Sequence, residues 1–437
     1  GNRYYGSAGY SILKIGTGSK NEIINTGSVH GINKIYSDCI NIWALADDGV
    51  GYISSKGNVT AIGGLSFNES MSDMIIDFEG NYWFTSYRKG ILQLERSKFQ
   101  NVTMKYGIDS SIVNCVTSYN GNTFIGTDEG LYIVDSNGKL VMSADNELVS
   151  KLSGISIRDL YVDSDDHLWI ATYKIYGVIK VSRNWQYKSY SRGESSLISN
   201  AVNCITEIKP GTVAVGTENG ISVIEGDDVV KSISRLDGLD NPDIISLYAD
   251  ETGELYAGSN GAGVFIVDTD YTVGKMKLDD TQKMSVVSSM VRGSSGLWIG
   301  TDNGLYYQEG TVRQVTTVDN TNGIYDLIMD DQGYLWMSGS RGLYRYYEKD
   351  ILSNASPEYI SFTKNDGIIS NITEKSTNYV SKTGVVYVCC DEGLCRINLN
   401  SEYVNEVAPR VRIASIEVDG TEHQFSDLDG QIDVPKN

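Results

Sequence analysis

Short hydrophobic runs alternate with turns rich in Gly and Asp along the whole chain, and the pattern returns about every 40 residues. The copies read NIWALADDGVGYI, NYWFTSYRKGILQL, NTFIGTDEGLYIV, HLWIATYKIYGVIKV, TVAVGTENGISVI, ELYAGSNGAGVFIV, GLWIGTDNGLYYQ, YLWMSGSRGLYRYY and VVYVCCDEGLCRI. A degenerate copy, RYYGSAGYSILKI, precedes them. Each parses as strand, turn, strand, polar loop, strand and a weaker fourth strand. In the fifth copy these are IRDLYVD, SDDH, LWIAT, YKIYG and VIKV. The second strand is apolar or small on both faces, as in a sheet packed between two others. No segment holds an i, i+3, i+4 apolar pattern long enough for a substantial helix. The pattern predicts an all-β protein, a β-propeller of four-stranded blades.

Trp43, Trp83, Trp169, Trp298 and Trp336 share one repeat position, which marks them as wedges between blades rather than ligand platforms. Trp185 falls outside the pattern and is expected on an outer strand, partly buried.

Composition narrows the functional classes. With 36 Lys and Arg against 56 Asp and Glu, the net charge of -20 disfavours a nucleic-acid partner. No apolar run reaches the length of a membrane span, and the first residues do not resemble a secretion signal. The chain is therefore expected to be soluble by itself or part of a longer exported protein. Cys115 and Cys204 occupy one repeat position and read as small buried hydrophobes; Cys39 has no evident mate. Cys389, Cys390 and Cys395 cluster on one hairpin, as buried thiols or as a cross-strand disulfide. No spacing suggests zinc, and the three histidines, His30, His167 and His423, do not pair into a catalytic or metal site. The acidic turns Asp163-Ser164-Asp165-Asp166 and Asp330-Asp331 read as solvated, self-capping turns rather than calcium sites. No enzyme, cofactor or metal is expected.

Segments before several copies, GIDSSIVNCVTSY, SSLISNAVNCITEI, DGLDNPDIISLYAD and NDGIISNITEKS, lead into the LWIGT-like strand. Together with IYDLIMDDQGYLWMSGSRGLYRY and VSSMVRGSSGLWIGTDNGLYY, they resemble the two-component regulator propeller repeat. The resemblance extends to about residue 408. The tail, APRVRIASIEVDGTEHQFSDLDGQIDVPKN, is similar to the opening of the triple-tyrosine, immunoglobulin-like domain that follows such propellers.

The simplest partition assigns residues 108–408 to a seven-bladed ring, residues 1–107 to three blades of a preceding ring, and residues 409–437 to the start of the triple-tyrosine domain. One larger ring of nine or ten blades is the alternative. The resemblance implies the periplasmic or extracellular region of a membrane-bound, homodimeric sensor, reached by the membrane only through parts of the parent protein outside this chain. It implies an oligosaccharide ligand and a relay to a cytoplasmic histidine kinase or similar output. Contact residues are expected where the loop after the second strand departs from the short TDEG type: Tyr87, Arg88 and Lys89 in the third copy, Tyr173-Lys174-Ile175-Tyr176 in the fifth, and Arg341 in the ninth. Tyr and Arg there can stack on sugar rings and donate to their oxygens. The rival readings are a propeller scaffold for protein contact without a small ligand, and a lyase, which would need a His, carboxylate and metal cluster in the central channel.

Overall fold

The computed structural model describes residues 3–7, 11–16, 21–26, 29–38, 41–53, 59–62, 69–77, 80–94, 99–109, 111–278, 283–319, 321–353, 356–399, 415–418 and 421–424. They form two compact units, one of residues 97–402 and one of residues 1–96 with 403–437.

The larger unit is a ring of seven antiparallel sheets. Its innermost strands are, blade by blade, Val113–Tyr119, Ile157–Val162, Val202–Lys209, Ile244–Ala249, Val287–Arg292, Ile324–Met329 and Tyr379–Val380. Six sheets have four strands. The first has three; an isolated bridge from Val134 to Leu140 marks its fourth position, and the short helix Glu147–Lys151 buries Leu148 and Val149 against the same core.

The seventh blade is completed by residues that come before the first. Phe99–Asn101 pairs with Gly393–Asn398, Phe99 opposite Ile397 and Asn101 opposite Cys395. Next to it, Phe99 packs edge-on against Phe362, with 5.7 Å between ring centres. Near the axis, Thr377 bridges to Cys115, and its N–H donates to the carbonyl of Asn114 at 2.8 Å. The ring thus closes on seven blades rather than nine or ten. It also starts earlier than the expected residue 108, because FQN is a functional outer strand that carries none of the Gly and Trp markers of the repeat.

Among the described residues, the smaller unit holds three sheets of three or four strands. These are Arg3–Ser7 with Ser11–Gly16 and Glu22–Asn25, the four strands from Ile32–Ser37 to Val59–Ala61, and Met71–Ile76 with Tyr82–Ser86 and Gly90–Leu94. A hairpin, Ser415–Val418 with Thr421–Gln424, belongs to the same unit. The rest of the 409–437 segment lies outside the described residues, as does Cys39.

Cores lie between blades. Trp169 of the second blade packs with Val213, Val215 and Ile224 of the third, and Trp298 of the fifth with Leu327, Leu335 and Met337 of the sixth. Each indole is also locked by a hydrogen bond. Trp43, Trp83, Trp169 and Trp336 donate Nε1–H at 2.8 Å to Asp38, Asp77, Asp163 and Asp330. This corrects the reading of the acidic turns as solvated. Asp163 is buried; besides the indole it caps the N–H groups of Asp165 and His167. Only the later acids of the turn, Asp165 and Asp166, face water.

The fifth blade has no acid in its turn, Arg292-Gly293-Ser294. Glu348, buried in the helix Glu348–Ser353 that joins the third and fourth strands of the sixth blade, takes over, accepting from Trp298 Nε1 at 2.8 Å and from the Ser294 N–H at 2.9 Å. Trp185 is likewise not on an outer strand. It sits in the turn between Val178–Val181 and Tyr187–Tyr190 with φ of 66°, and its ring stacks at 5.9 Å on Phe124, the residue that holds the wedge position in the first blade. Cys115, Cys204, Cys389, Cys390 and Cys395 are all free and buried, so the hairpin cluster is thiols and not a disulfide.

Candidate functional site

A repeated irregularity builds the end of the ring where the inner strands begin. In six of the seven inner strands the register shifts by one residue near the start, between Val113 and Cys115, Ile157 and Asp159, Val202 and Cys204, Ile244 and Ser246, Val287 and Ser289, and Ile324 and Asp326. Such a β-bulge leaves one residue out of the ladder and re-aims its side chain. The extra residues are Asn114, Arg158, Asn203, Ile245, Ser288 and Tyr325.

Three of them tie neighbouring blades. Asn114 Nδ2 donates to the Ile157 carbonyl at 3.0 Å, Asn203 Nδ2 to that of Ile244 at 2.9 Å, and Ser288 Oγ to that of Ile324 at 2.6 Å. In the smaller unit Asn33 makes the same bond to Met71. The Asn of the VNCVT and VNCIT segments is thus a strap across blades.

Asn114, Arg158, Asn203 and Ile245 then wall a polar cleft of about 290 Å³ at the mouth of the ring, completed by Tyr173, Glu218, Asp243, Asn260, Glu374 and Lys375. The Tyr173 hydroxyl donates to Glu218. The guanidinium of Arg158 lies 5.0 Å from the Tyr173 ring centre and the Lys174 ammonium 4.7 Å from it. Arg158 is also 3.8 Å from Asp128, which accepts from Asn114 at 2.9 Å. Asp243 is held by Asn203 at 3.1 Å and Asn260 at 2.8 Å. The bond to Glu218 and partial burial hold the Tyr173 hydroxyl above the ordinary phenol range. The rim therefore presents one aromatic ring with two cations close to it, and amides and carboxylates around it.

Beneath the cleft, the residues that follow the bulges meet at the axis. Asp159 accepts from the backbone N–H of Ile205 at 2.9 Å, from Leu160 N–H at 2.9 Å and from Thr377 Oγ1 at 3.3 Å. Asp326 accepts from the Asn378 N–H at 2.8 Å and from Ser289 Oγ at 3.1 Å. Both carboxyls are buried without a cationic partner, and burial pushes each up to about 6 despite these bonds.

A proton held in the folded ring up to about pH 6, but released by an unfolded Asp near 3.8, stabilises the ring fully below pH 3.8. That contribution is lost as pH rises through 6. For Asp326 an amide is an acceptable substitute: its oxygen can keep the Asn378 donors while its NH2 faces the Ser289 hydroxyl. Asp326→Asn should therefore stabilise the ring at pH 8 by about 1–3 kcal/mol, with the gain vanishing at pH 4. Urea unfolding at the two pH values measures this; an equal effect at both would refute it.

Of the residues singled out from sequence, the structure brings Tyr173 into the cleft. Tyr176, in the same loop, turns away: its ring packs on the core shared by the first two blades and carries Lys151 at 4.7 Å. Arg341 is exposed in the turn between Tyr334–Gly339 and Gly342–Tyr347 of the sixth blade, outside the cleft lining. Tyr87 and Arg88 are exposed in the smaller unit, where the N–H groups of Arg88 and Lys89 cap on Ser86 Oγ and Lys89 pairs with Glu69 at 3.7 Å. Sequence reading missed Arg158, Asn114, Asn203, Asp243 and Lys375. The bulge signal was nonetheless present, as a polar residue directly before the small or acidic residue in VNC, IRD and VNC again. Among the described residues, no three His, Cys, Asp or Glu side chains are placed to hold a metal ion, and no helix is long and apolar enough to cross a membrane.

Residues 151–174, which contain Arg158 and Tyr173, match the model of the two-component regulator propeller. The chain carries a two-component regulator propeller repeat. The fold of this propeller is that of solved extracellular domains from B. thetaiotaomicron. One, assigned to a hybrid two-component system, is 19% identical with a TM-score of 0.65, over 96% of this chain and 65% of that one. Another, assigned to a one-component system, is 17% identical with a TM-score of 0.60, over 98% of this chain and 60% of that one. The propeller chain thus spans less than two thirds of either domain. Virginiamycin B lyase from Staphylococcus aureus, 14% identical with a TM-score of 0.54, covers 70% of this chain with its whole length and shares the fold alone. No curated protein sequence matches the chain.

Proposed function

We propose that this propeller is the ligand-sensing part of an extracytoplasmic receptor, and that the cleft at the mouth of its ring takes the end of an oligosaccharide. The observation that carries the reading is the Tyr173 ring, held by Arg158 and Glu218 at the rim of a polar cleft. An aromatic face with hydrogen-bonding groups around it suits the apolar face and hydroxyl edges of a sugar ring. At 290 Å³ the cleft has room for a chain end rather than a long segment. Its charges, Arg158 and Lys375 against Glu218, Asp243 and Glu374, favour a neutral glycan over a strongly anionic one. Occupancy would be relayed through the parent protein to a cytoplasmic kinase or similar output, as the resemblance implies.

A thermal-shift screen against plant and host oligosaccharides tests the reading, since a ligand that binds only the folded state raises the melting temperature by mass action. At 100 times its Kd a ligand adds about 2.7 kcal/mol, a shift of several degrees. One neutral glycan class should give that shift, Tyr173→Ala and Arg158→Ala should abolish it, and Arg341→Ala should leave it unchanged. Equal shifts in all three variants would move the site elsewhere, and no shift with any sugar would favour a propeller that works by protein contact.

A further inference from the structure

In three ring blades a cation on the third strand stands opposite the aromatic residue of the second: Lys180 opposite Trp169, Arg345 opposite Trp336 and Arg396 opposite Tyr387. The first two are neutralised. Lys180 lies 3.8 Å from Asp227, in a turn of the next blade, and Arg345 lies 3.7 Å from Asp330, in a turn of its own. Arg396 has neither partner. Six residues before Tyr387, where Asp330 precedes Trp336, stands Ser381, which caps the Val385 N–H at 2.9 Å but carries no charge. The turn that follows the third strand of the first blade does hold an acid, Asp135, but its carboxylate accepts from the N–H groups of Asn137 and Lys139 at 2.9 and 2.8 Å.

Arg396 lines a polar pocket of about 290 Å³ at the seam where the ring closes. Gln100, its ladder partner on the closing strand, and Tyr387 belong to the same wall. Lys105 and Tyr106, from the short helix Val102–Tyr106, form a second wall, and the first blade supplies the third. The Lys105 ammonium lies 5.0 Å from the Tyr106 ring centre, and the Arg396 guanidinium 6.0 Å from that of Tyr387. Neither side chain makes an ion pair or a hydrogen bond among the described residues. In a chain with a net charge of -20, two such cations in one pocket reverse the local field. A cavity of about 150 Å³ takes up benzene, so this one has room for a sugar-sized body beside a charged group. Gly121, at its edge, follows the end of the inner strand Val113–Tyr119, so the pocket lies at the opposite end of the ring from the cleft and is a separate site.

We propose that the seam pocket is a second ligand site, which takes a small organic anion of hexose size. A carboxylate or phosphate group meets Arg396 and Lys105, and the body lies against the Tyr106 and Tyr387 rings. The planar guanidinium matches two oxygens of either group. A ligand there touches the closing helix, the seventh blade and the first at once, so its binding also strengthens closure of the ring.

Calorimetric titration of the full chain at low salt with glucuronate, glucose 6-phosphate, glucose and inorganic phosphate tests this. One or both sugar anions should bind, raise the melting temperature and weaken with added salt; the tighter of the two names the charged group. Arg396→Gln should weaken the anion about tenfold or more, and Lys105→Gln about threefold or more. Ser381→Asp gives Arg396 the acid that Arg345 has and keeps an acceptor for the Val385 N–H. It should weaken the anion as far as Arg396→Gln does without lowering the melting temperature of the free protein. Tyr173→Ala, in the cleft, should leave the anion's affinity unchanged. No binding of either sugar anion at millimolar concentration, or undiminished affinity in Arg396→Gln and Ser381→Asp, would overturn the proposal. So would glucose or inorganic phosphate binding as tightly as the sugar anions, or a loss in Tyr173→Ala, which would place the anion in the cleft.

Discussion

Glu348→Ala should destabilise the ring by about 3 kcal/mol, although Glu348 lies on a short helix outside the repeat pattern. The carboxylate is the acceptor for two donors of the preceding blade, the buried Trp298 Nε1 and the N–H of Ser294 in an exposed turn. Removing it leaves the indole N–H unpaired, with a desolvation penalty of about 1–3 kcal/mol, and opens a hollow beside an indole that is fully buried. The neighbourhood cannot close over the loss by adding bulk at Gly293, where a Cβ would stand 2.7 Å from Trp298 Nε1. Glu348→Gln, which restores an oxygen to the indole, should recover part of the loss. Guanidinium unfolding reads the effect as a fall in midpoint with an unchanged slope. A midpoint within error of the unaltered chain would show that water satisfies the indole.

A fragment of residues 97–402 should fold, whereas one of residues 108–402 should not give a cooperative transition. The shorter fragment lacks Phe99–Asn101 and the helix Val102–Tyr106. It thereby exposes the edge of Gly393–Asn398 and loses Phe99 and Val102 from the cores they share with the seventh and first blades. Deleting one large buried apolar side chain costs about 2–5 kcal/mol; here two go together with a strand, against a total stability of about 5–15 kcal/mol. The open edge also invites pairing with another chain. Size-exclusion chromatography and thermal denaturation of the two fragments decide it. Equal melting temperatures would mean that closure through the inner strands alone is enough.

That second experiment sits where sequence reading and structure part company. The blades were legible because the same turn and second strand recur, so each copy supports the others. The closing strand was not, because a three-residue outer strand needs only extended backbone and one buried side chain. Phe99-Gln100-Asn101 meets that need without any marker. The locks were half legible. Asp before Trp is visible in four copies, but its burial is not, since Asp favours exposed turns equally well, and Glu348 acts on Trp298 from 50 residues away. In the cleft, Tyr173 could be found because its loop departs from the short TDEG form. Arg158, Asn203 and Lys375 come from three separate repeats; bulges turn the first two toward the mouth, and Lys375 stands in a left-handed turn before the seventh inner strand.

The closing strand also fixes the order of events during synthesis. Phe99 leaves the ribosome some 300 residues before its ladder partner Ile397, an interval of about 15–60 s at ordinary elongation rates. Through that time the strand and the short helix after it must stay unpaired while six blades form beside them. Contacts between residues so far apart in the chain are also the slowest to find. The blade begun first is therefore the last to be finished.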